Sequence, residues 1–327
     1  MKHKTPVGLL TGFLGSGKTT LLSQVLSQGD FADSAIIINE FGAVSIDHLM
    51  VADVAENIVE LRNGCLCCTI RGDLVMTLRD LNRRRYLGEI PQFRRVIVET
   101  SGLADPIPLV HTLMANPPLQ QAYTLDVVVC VVDAEHGLDT LAVHDTAQEQ
   151  IALADILVLS KVDIATPAAV VAVRTKVRTL NAGAEIVVAT QGRIDPRRLF
   201  DRGLFQPGLR IELLEHWLAA AHDHADHGEH YGAHVIHHPH ALSLAGTSVF
   251  LNRLVNEWKD DILRIKAIAG FREKGGRPAV LHAVQNKFYP VLWLERWPDR
   301  DQSSRIVIIG RDLDTRRIDE FFHALCV

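Results

Sequence analysis

Residues 12 to 20 read Gly12-Phe-Leu-Gly15-Ser16-Gly17-Lys18-Thr19-Thr20. The spacing G-x-x-x-x-G-K-[ST] lets backbone N–H groups turn inward around phosphate oxygens, and a helix starting there adds its dipole. Lys18 is then placed to reach β- and γ-phosphates, and the Thr19 hydroxyl to bind Mg²⁺. Further on, Val96-Ile-Val-Glu99-Thr-Ser-Gly102 is an apolar run that ends in an acid and then a glycine. A carboxylate at such a strand end holds the Mg²⁺ shell or orients an attacking water. A glycine just beyond it lets a backbone N–H approach the γ-phosphate. Lys18, Thr19 and Glu99 are therefore the candidate catalytic residues. Gly12, Gly15, Ser16, Gly17, Thr20 and Gly102 complete the candidate phosphate cradle. Asp133 closes another apolar run and is a second candidate for the work of Glu99.

Ser160-Lys161-Val162-Asp163 is similar to the Asn/Thr-Lys-x-Asp loop that reads guanine. A carboxylate at Asp163 accepts from the N1–H and N2–H₂ of guanine, a donor pair adenine lacks. Lys161 packs its stem against the base. Ser160 stands where the pattern has Asn or Thr, and ATP stays open as an alternative nucleotide.

Arg62-Asn63-Gly64-Cys65-Leu66-Cys67-Cys68 puts three of the chain's five cysteines within four residues. Thiolates are soft ligands and favour Zn²⁺ or Cu(I) over Mg²⁺. A closed structural zinc site has four protein ligands. Only three lie here, so a carboxylate, a water or an incoming ligand must complete the shell, which suits a site that releases its metal. Glu40, in Asn39-Glu40-Phe41-Gly42, is the candidate fourth zinc ligand. Eight histidines fall between His222 and His240 and can bind metal weakly. No arginine finger stands out, Arg62 and Arg71 beside the Cys cluster being candidates in cis or across a dimer, and slow intrinsic hydrolysis is expected.

These groups need elements to hold them. Short β-branched runs at Val7–Thr11, Ala35–Asn39, Val96–Glu99, Val127–Asp133, Ile156–Ser160 and Ile186–Thr190 alternate with helical stretches at Lys18–Gln28, Asp73–Arg85, Leu138–Ala154 and Pro167–Leu180. That is the signature of a doubly wound, mainly parallel α/β sheet. It spans 1–205. The His-rich stretch shows no helical or strand period, so 206–240 reads as a linker. Residues 241–327 then read as a smaller α+β domain. There Thr247 caps a helix carrying Phe250, Leu251, Leu254, Val255 and Trp258, Ile262–Phe271 and Ala279–Phe288 and Arg305–Gly310 are strands, and Asp314–Leu325 is a closing helix. Cys130 reads as buried core and Cys326 as terminal surface.

Composition bounds the rest. The chain has 327 residues, 47% hydrophobic and 22% charged, which fits a globular protein of two domains. Net charge is −5, from 34 basic and 39 acidic residues, so no overall basic excess favours nucleic acid as a partner. No apolar run reaches the ~18 residues that span a bilayer, so no membrane role is expected. The apolar start of the chain runs directly into the glycine-rich loop without a cleavage site, which argues against a signal peptide. Clustered thiols fit a reducing compartment, and a cytoplasmic location is expected.

Together these segments resemble the CobW/YjiA-type GTPases, a family of metal-linked P-loop proteins that also includes HypB and UreG. The resemblance is carried by residues 9–20, 39–42, 63–68, 99–106 and 160–163, in the family's order, and extends to 262–266 and 305–311 in the second domain. It implies a P-loop GTPase domain followed by a CobW C-terminal domain. It implies GTP hydrolysis with Mg²⁺, coupled to delivery of a metal, most often zinc, to a client metalloprotein. Members are often dimeric, so a homodimer is one assembly the resemblance implies. Two rivals stay open. One is a P-loop kinase or ATP-dependent enzyme whose Cys cluster is structural zinc. The other is a thiol redox sensor, in which Cys65 and Cys68 have a feasible C-x-x-C spacing.

Overall fold

Runs that are apolar on both faces are satisfied in a sheet covered on both sides. The computed structural model describes residues 4–39, 58–60, 69–203, 231–259, 261–298 and 300–327. In it the six expected runs become β1 (Thr5–Thr11), β2 (Ser34–Asn39), β4 (Arg95–Thr100), β5 (Tyr123–Asp133), β6 (Ile156–Ser160) and β7 (Glu185–Val188), and a three-residue strand that no expected run marked, β3 (Ile58–Glu60), joins them. They form one seven-stranded sheet in the order β3-β2-β4-β1-β5-β6-β7. The pairings of β1 with β4 and β5, of β2 with β3 and β4, and of β5 with β6 are all parallel. Helices α1 (Lys18–Leu26), α2 (Thr69–Leu87), α3 (Ile107–Ala115), α4 (Pro117–Ala122), α5 (Gly137–Val143), α6 (Asp145–Leu153) and α7 (Pro167–Leu180) make the connections.

Leu21, Leu22 and Val25 of α1 share a buried cluster with Leu10, Ile36, Val129 and Val158 from four strands. Burying each such side chain contributes roughly 1.5–3 kcal/mol, which fixes α1 against the sheet. Register then levels the chemistry. Leu10 lies opposite Glu99, Asn39 opposite Thr100, and Asp133 opposite Ser160. The chain builds β2, β3 and β4 on one side of β1 and then crosses to β5, β6 and β7. Ligands of open α/β sheets bind beyond the carboxyl ends of strands at such a switch in order.

The chain divides into two compact units, one of 1–150, 154–174 and 186–206, the other of 151–153, 175–185 and 207–327. The second unit contains β8 (Tyr231–His238), α8 (Leu244–Glu257), β9 (Ile262–Phe271), β10 (Arg277–Val284), β11 (Lys287–Phe288), β12 (Leu292–Trp293), β13 (Ser304–Arg311) and α9 (Thr315–Cys326). Its antiparallel sheet runs β11-β10-β9-β13-β8, with β12 on β10. Every second residue of the central strands, such as Ile265, Ala267 and Ala269, meets Phe250, Leu254 and Phe322 of the two helices in one core. Among the described residues, no helix is long and apolar enough to cross a membrane.

Several expected boundaries differ. The stretch 206–240 is not linker throughout: Tyr231–His238 is an edge strand paired with β13 from Arg311 to Ser304, while 204–230 lie outside the described residues. Its period was hidden because imidazoles take inward places, His234 bonding Asp319 at 2.7 Å and His238 packing edge-on against Phe322. The expected helix Leu138–Ala154 breaks at His144, which is extended and stacks its ring on Phe13 at 4.5 Å. The cap of α8 is Ser243, which accepts from the Gly246 N–H, and Thr247 is a buried helix residue one turn on. Ala279–Phe288 is two strands, because Gln285 takes a left-handed conformation (φ 47°) and turns the chain into β11. Cys326 is fully buried rather than on the surface, because α9 turns that edge into the core, and burial pushes its thiol up to about 11.

Candidate functional site

The loop after β1 can be built only with glycine at its start. Gly12 has φ +137°, and a Cβ there would lie 2.3 Å from the Val131 carbonyl oxygen. The loop closes with Ser16 N–H donating to Phe13 O at 3.2 Å, and Gly17 caps α1. No acidic residue stands in the first turn of α1, so nothing on the helix competes with a bound anion. Lys18 is buried, and its amine donates back to Phe13 O at 3.2 Å. A cleft of about 300 Å³ opens here, lined by Leu14, Gly15, Gly17, Lys18, Thr19, Thr20, Glu99, Gly102 and Lys161 among others.

Adjacency of β1 and β4 brings Thr19 and Glu99 together. The Thr19 hydroxyl donates to Glu99 Oε1 at 2.7 Å, and Glu99 is only 5% exposed. Thr100 and Thr11 hydroxyls tie the two strand ends at 3.0 Å. A hydroxyl and a carboxylate oxygen on one cleft wall are hard ligands of the type Mg²⁺ takes, so the donor set fits that ion. Gly102 approaches the loop so closely that a Cβ would lie 2.6 Å from the Leu14 nitrogen. Its carbonyl is fixed by Gln150, whose buried amide donates to Gly102 O at 3.2 Å and Ala104 O at 3.1 Å. Gln150 carries no motif, and only the closed fold reveals its work.

At the end of β6, Ser160 donates to the Ser16 carbonyl at 2.6 Å, tying this strand end to the glycine loop. Lys161 adopts φ 56° and its amine meets Asp133 Oδ2 at 2.7 Å. Asp133 also accepts from the N–H groups of Glu135 and His136. Burial opposes its charge, but Lys161 and the two N–H groups outweigh it and hold the carboxyl below its usual range. Asp133 is thus engaged with Lys161 and the start of the next loop. Asp163 is exposed, on a turn closed by the Ile164 and Ala165 N–H groups on Lys161 O, and does not line the cleft. The loop after β7 packs against α1: a Cβ on Gly192 would lie 3.1 Å from Thr20 O. No residue type in Thr190-Gln-Gly192 announces it.

Cys65, Cys67, Cys68 and Glu40, the expected zinc ligands, lie outside the described residues, as does Arg62; Arg71 lies on α2. Among the described residues, no three His, Cys, Asp or Glu side chains gather as a metal site. Cys130 is buried in β5, and burial pushes its thiol up to about 12.

Residues 6–188 match the family described as CobW/HypB/UreG, nucleotide-binding domain, and residues 231–326 match the cobalamin synthesis protein cobW C-terminal domain. The zinc chaperone YjiA of Escherichia coli is 33% identical over 323 residues, covering 98% of each chain. The zinc chaperone CobW of Pseudomonas aeruginosa is 32% identical, covering 96% of this chain and 90% of that one. The crystal structure of Zn(II)-bound YjiA GTPase from E. coli superposes with a TM-score of 0.74 at 27% identity, covering 99% of both chains.

Proposed function

The chain belongs to the CobW/HypB/UreG family, and we propose that it hydrolyses GTP and couples that reaction to zinc transfer to a client metalloprotein. The observation that carries the nucleotide half is the Thr19–Glu99 contact inside the glycine-loop cleft. Backbone N–H groups from Gly15 to Thr20 hold the phosphates, and Lys18 pairs with the β- and γ-oxygens. Thr19 and Glu99 hold Mg²⁺, which when bound neutralises charge on those oxygens. Glu99 also orients the attacking water, and the Gly102 N–H meets the γ-phosphate. Asp163 selects guanine by accepting from its N1–H and N2–H₂.

Zinc is the cargo. Cys65, Cys67 and Cys68, with Glu40, take it as thiolate and carboxylate ligands. Two features of the chain support coupling. Glu40 is the residue after β2, which ends beside Thr100, and Cys68 is the residue before α2 begins. A segment attached at these two points is placed to respond to loss of the γ-phosphate, and order–disorder of such segments is a known switching device. The zinc-chaperone names of the relatives support zinc as the metal. The second unit recognises the client, a homodimer is the working assembly, and the protein acts in the cytoplasm.

Phosphate release from GTP and ATP, measured with Mg²⁺ and zinc-free protein, tests the nucleotide half. GTP turnover that is lost in Thr19→Ala is expected. Faster ATP turnover with phosphorylation of an acceptor would instead identify a kinase with structural zinc.

A further inference from the structure

Asn and Ser differ in what they can do at the first place of the base-side motif. An Asn amide has two N–H donors and can hold protein backbone and a base acceptor at once, whereas a serine hydroxyl has one proton. In this chain that proton is aimed at backbone. Ser160 Oγ lies 2.6 Å from the Ser16 carbonyl and 3.2 Å from the Val132 carbonyl, and both partners are acceptors only. Ser160 is buried at 8% exposure and Ser16 at 2%. Ser160 is also held by its own backbone, its carbonyl accepting from Ala134 N–H at 3.0 Å. The N7 and O6 atoms of guanine are acceptors as well. The hydroxyl can therefore serve them only by releasing the phosphate loop.

We propose that Ser160 is a positioning residue that clamps the phosphate loop to the base-side strand and leaves the N7 edge of guanine unread, so that selectivity rests on the Watson–Crick edge alone. This rests on the reading of Asp163 as the guanine selector. Its consequence is a nucleotide site indifferent to the atom at position 7 of the purine.

The experiment is calorimetric titration of the full-length, zinc-free protein with GDP, 7-deaza-GDP and ADP in Mg²⁺. Wild type is expected to bind GDP and 7-deaza-GDP within twofold of each other. A preference for GDP above twofold would overturn the proposal. Ser160→Ala is expected to weaken both guanine nucleotides alike, by roughly fivefold, the worth of one buried hydrogen bond. Ser160→Thr, which keeps the hydroxyl, is expected to bind as wild type does. Unchanged binding in Ser160→Ala, or a changed ratio between GDP and 7-deaza-GDP, would overturn the clamp. The ADP arm separates the two readings. Equal binding of ADP and GDP refutes the role of Asp163, whereas a guanine preference with strong loss on 7-deaza-GDP refutes that of Ser160.

Discussion

Gly102→Ala should disable nucleotide binding while leaving the fold intact. The added Cβ would stand 2.6 Å from Leu14 N, 2.8 Å from Leu14 Cα and 2.8 Å from Leu14 Cδ2. The Cδ2 contact is relieved cheaply, because the Leu14 side chain is 55% exposed and can rotate. The backbone contacts are not. Ordinary contact begins at 3.4 Å, so the phosphate loop must retreat by about 0.8 Å. Residue 102 cannot retreat instead, because Gln150 holds its carbonyl at 3.2 Å and β4 is paired on both sides. Forcing a methyl into a packed site costs about 1–3 kcal/mol. The empty protein relieves that strain by shifting the loop, and the bound state must restore the loop. GDP affinity should therefore fall by roughly 5- to 150-fold. Calorimetry of GDP binding measures this, and thermal melting of the nucleotide-free variant reports the fold. GDP affinity within twofold of wild type would refute the reasoning.

Three further outcomes follow from other contacts. Glu99→Gln keeps an acceptor for Thr19 but removes the charge, so chelating Mg²⁺ should weaken GDP binding in wild type and hardly alter it in the variant; equal chelator sensitivity would remove Glu99 from the Mg²⁺ site. Asp126, buried in β5, accepts from the Arg202 and Gly203 N–H groups, yet burial outweighs them and pushes its carboxyl up to about 6. A raised acid contributes stability that is present below the unfolded value near 4 and is lost as pH rises through 6. From pH 4 to pH 8 the stability difference should therefore move in favour of Asp126→Asn by about 2–3 kcal/mol, and a flat difference in denaturant titrations would contradict it. Cys130 and Cys326, at 1% and 0% exposure, should resist a thiol reagent in a native variant whose other three cysteines are serine, and rapid labelling would show that either is reachable.

The parallel sheet was legible because its strands are continuous apolar runs, and the glycine loop because its spacing is set by phosphate geometry. Thr19 and Glu99, far apart in sequence, were placed on one site from the motifs, and the register of β1 with β4 brings them to 2.7 Å. What stayed hidden depends on closure of the chain. Gln150 looks like any helix-surface amide until α6 packs beside Gly102. Ser243 and Thr247 are both cap-type residues, and only the folded chain decides between them, with Ser243 accepting the Gly246 N–H and Thr247 buried one turn on. The strand at Tyr231–His238 was obscured because histidines occupy positions where apolar residues would have shown the period. His144 interrupts a helix that local propensity would have continued, and its ring stacks on Phe13.

Zinc affinity by chelator competition tests the central claim most directly. It is measured on reduced, full-length protein with Mg²⁺ and either GDP or a non-hydrolysable GTP analogue, beside Cys67→Ala to separate the C-x-C-C segment from the histidines. Linkage requires that whatever GTP does to zinc, zinc does to GTP by the same factor. The account predicts a zinc affinity that differs between the two nucleotide states in wild type and loses that difference in Cys67→Ala. Tight zinc binding that is the same with GDP, with the GTP analogue and without nucleotide would contradict it.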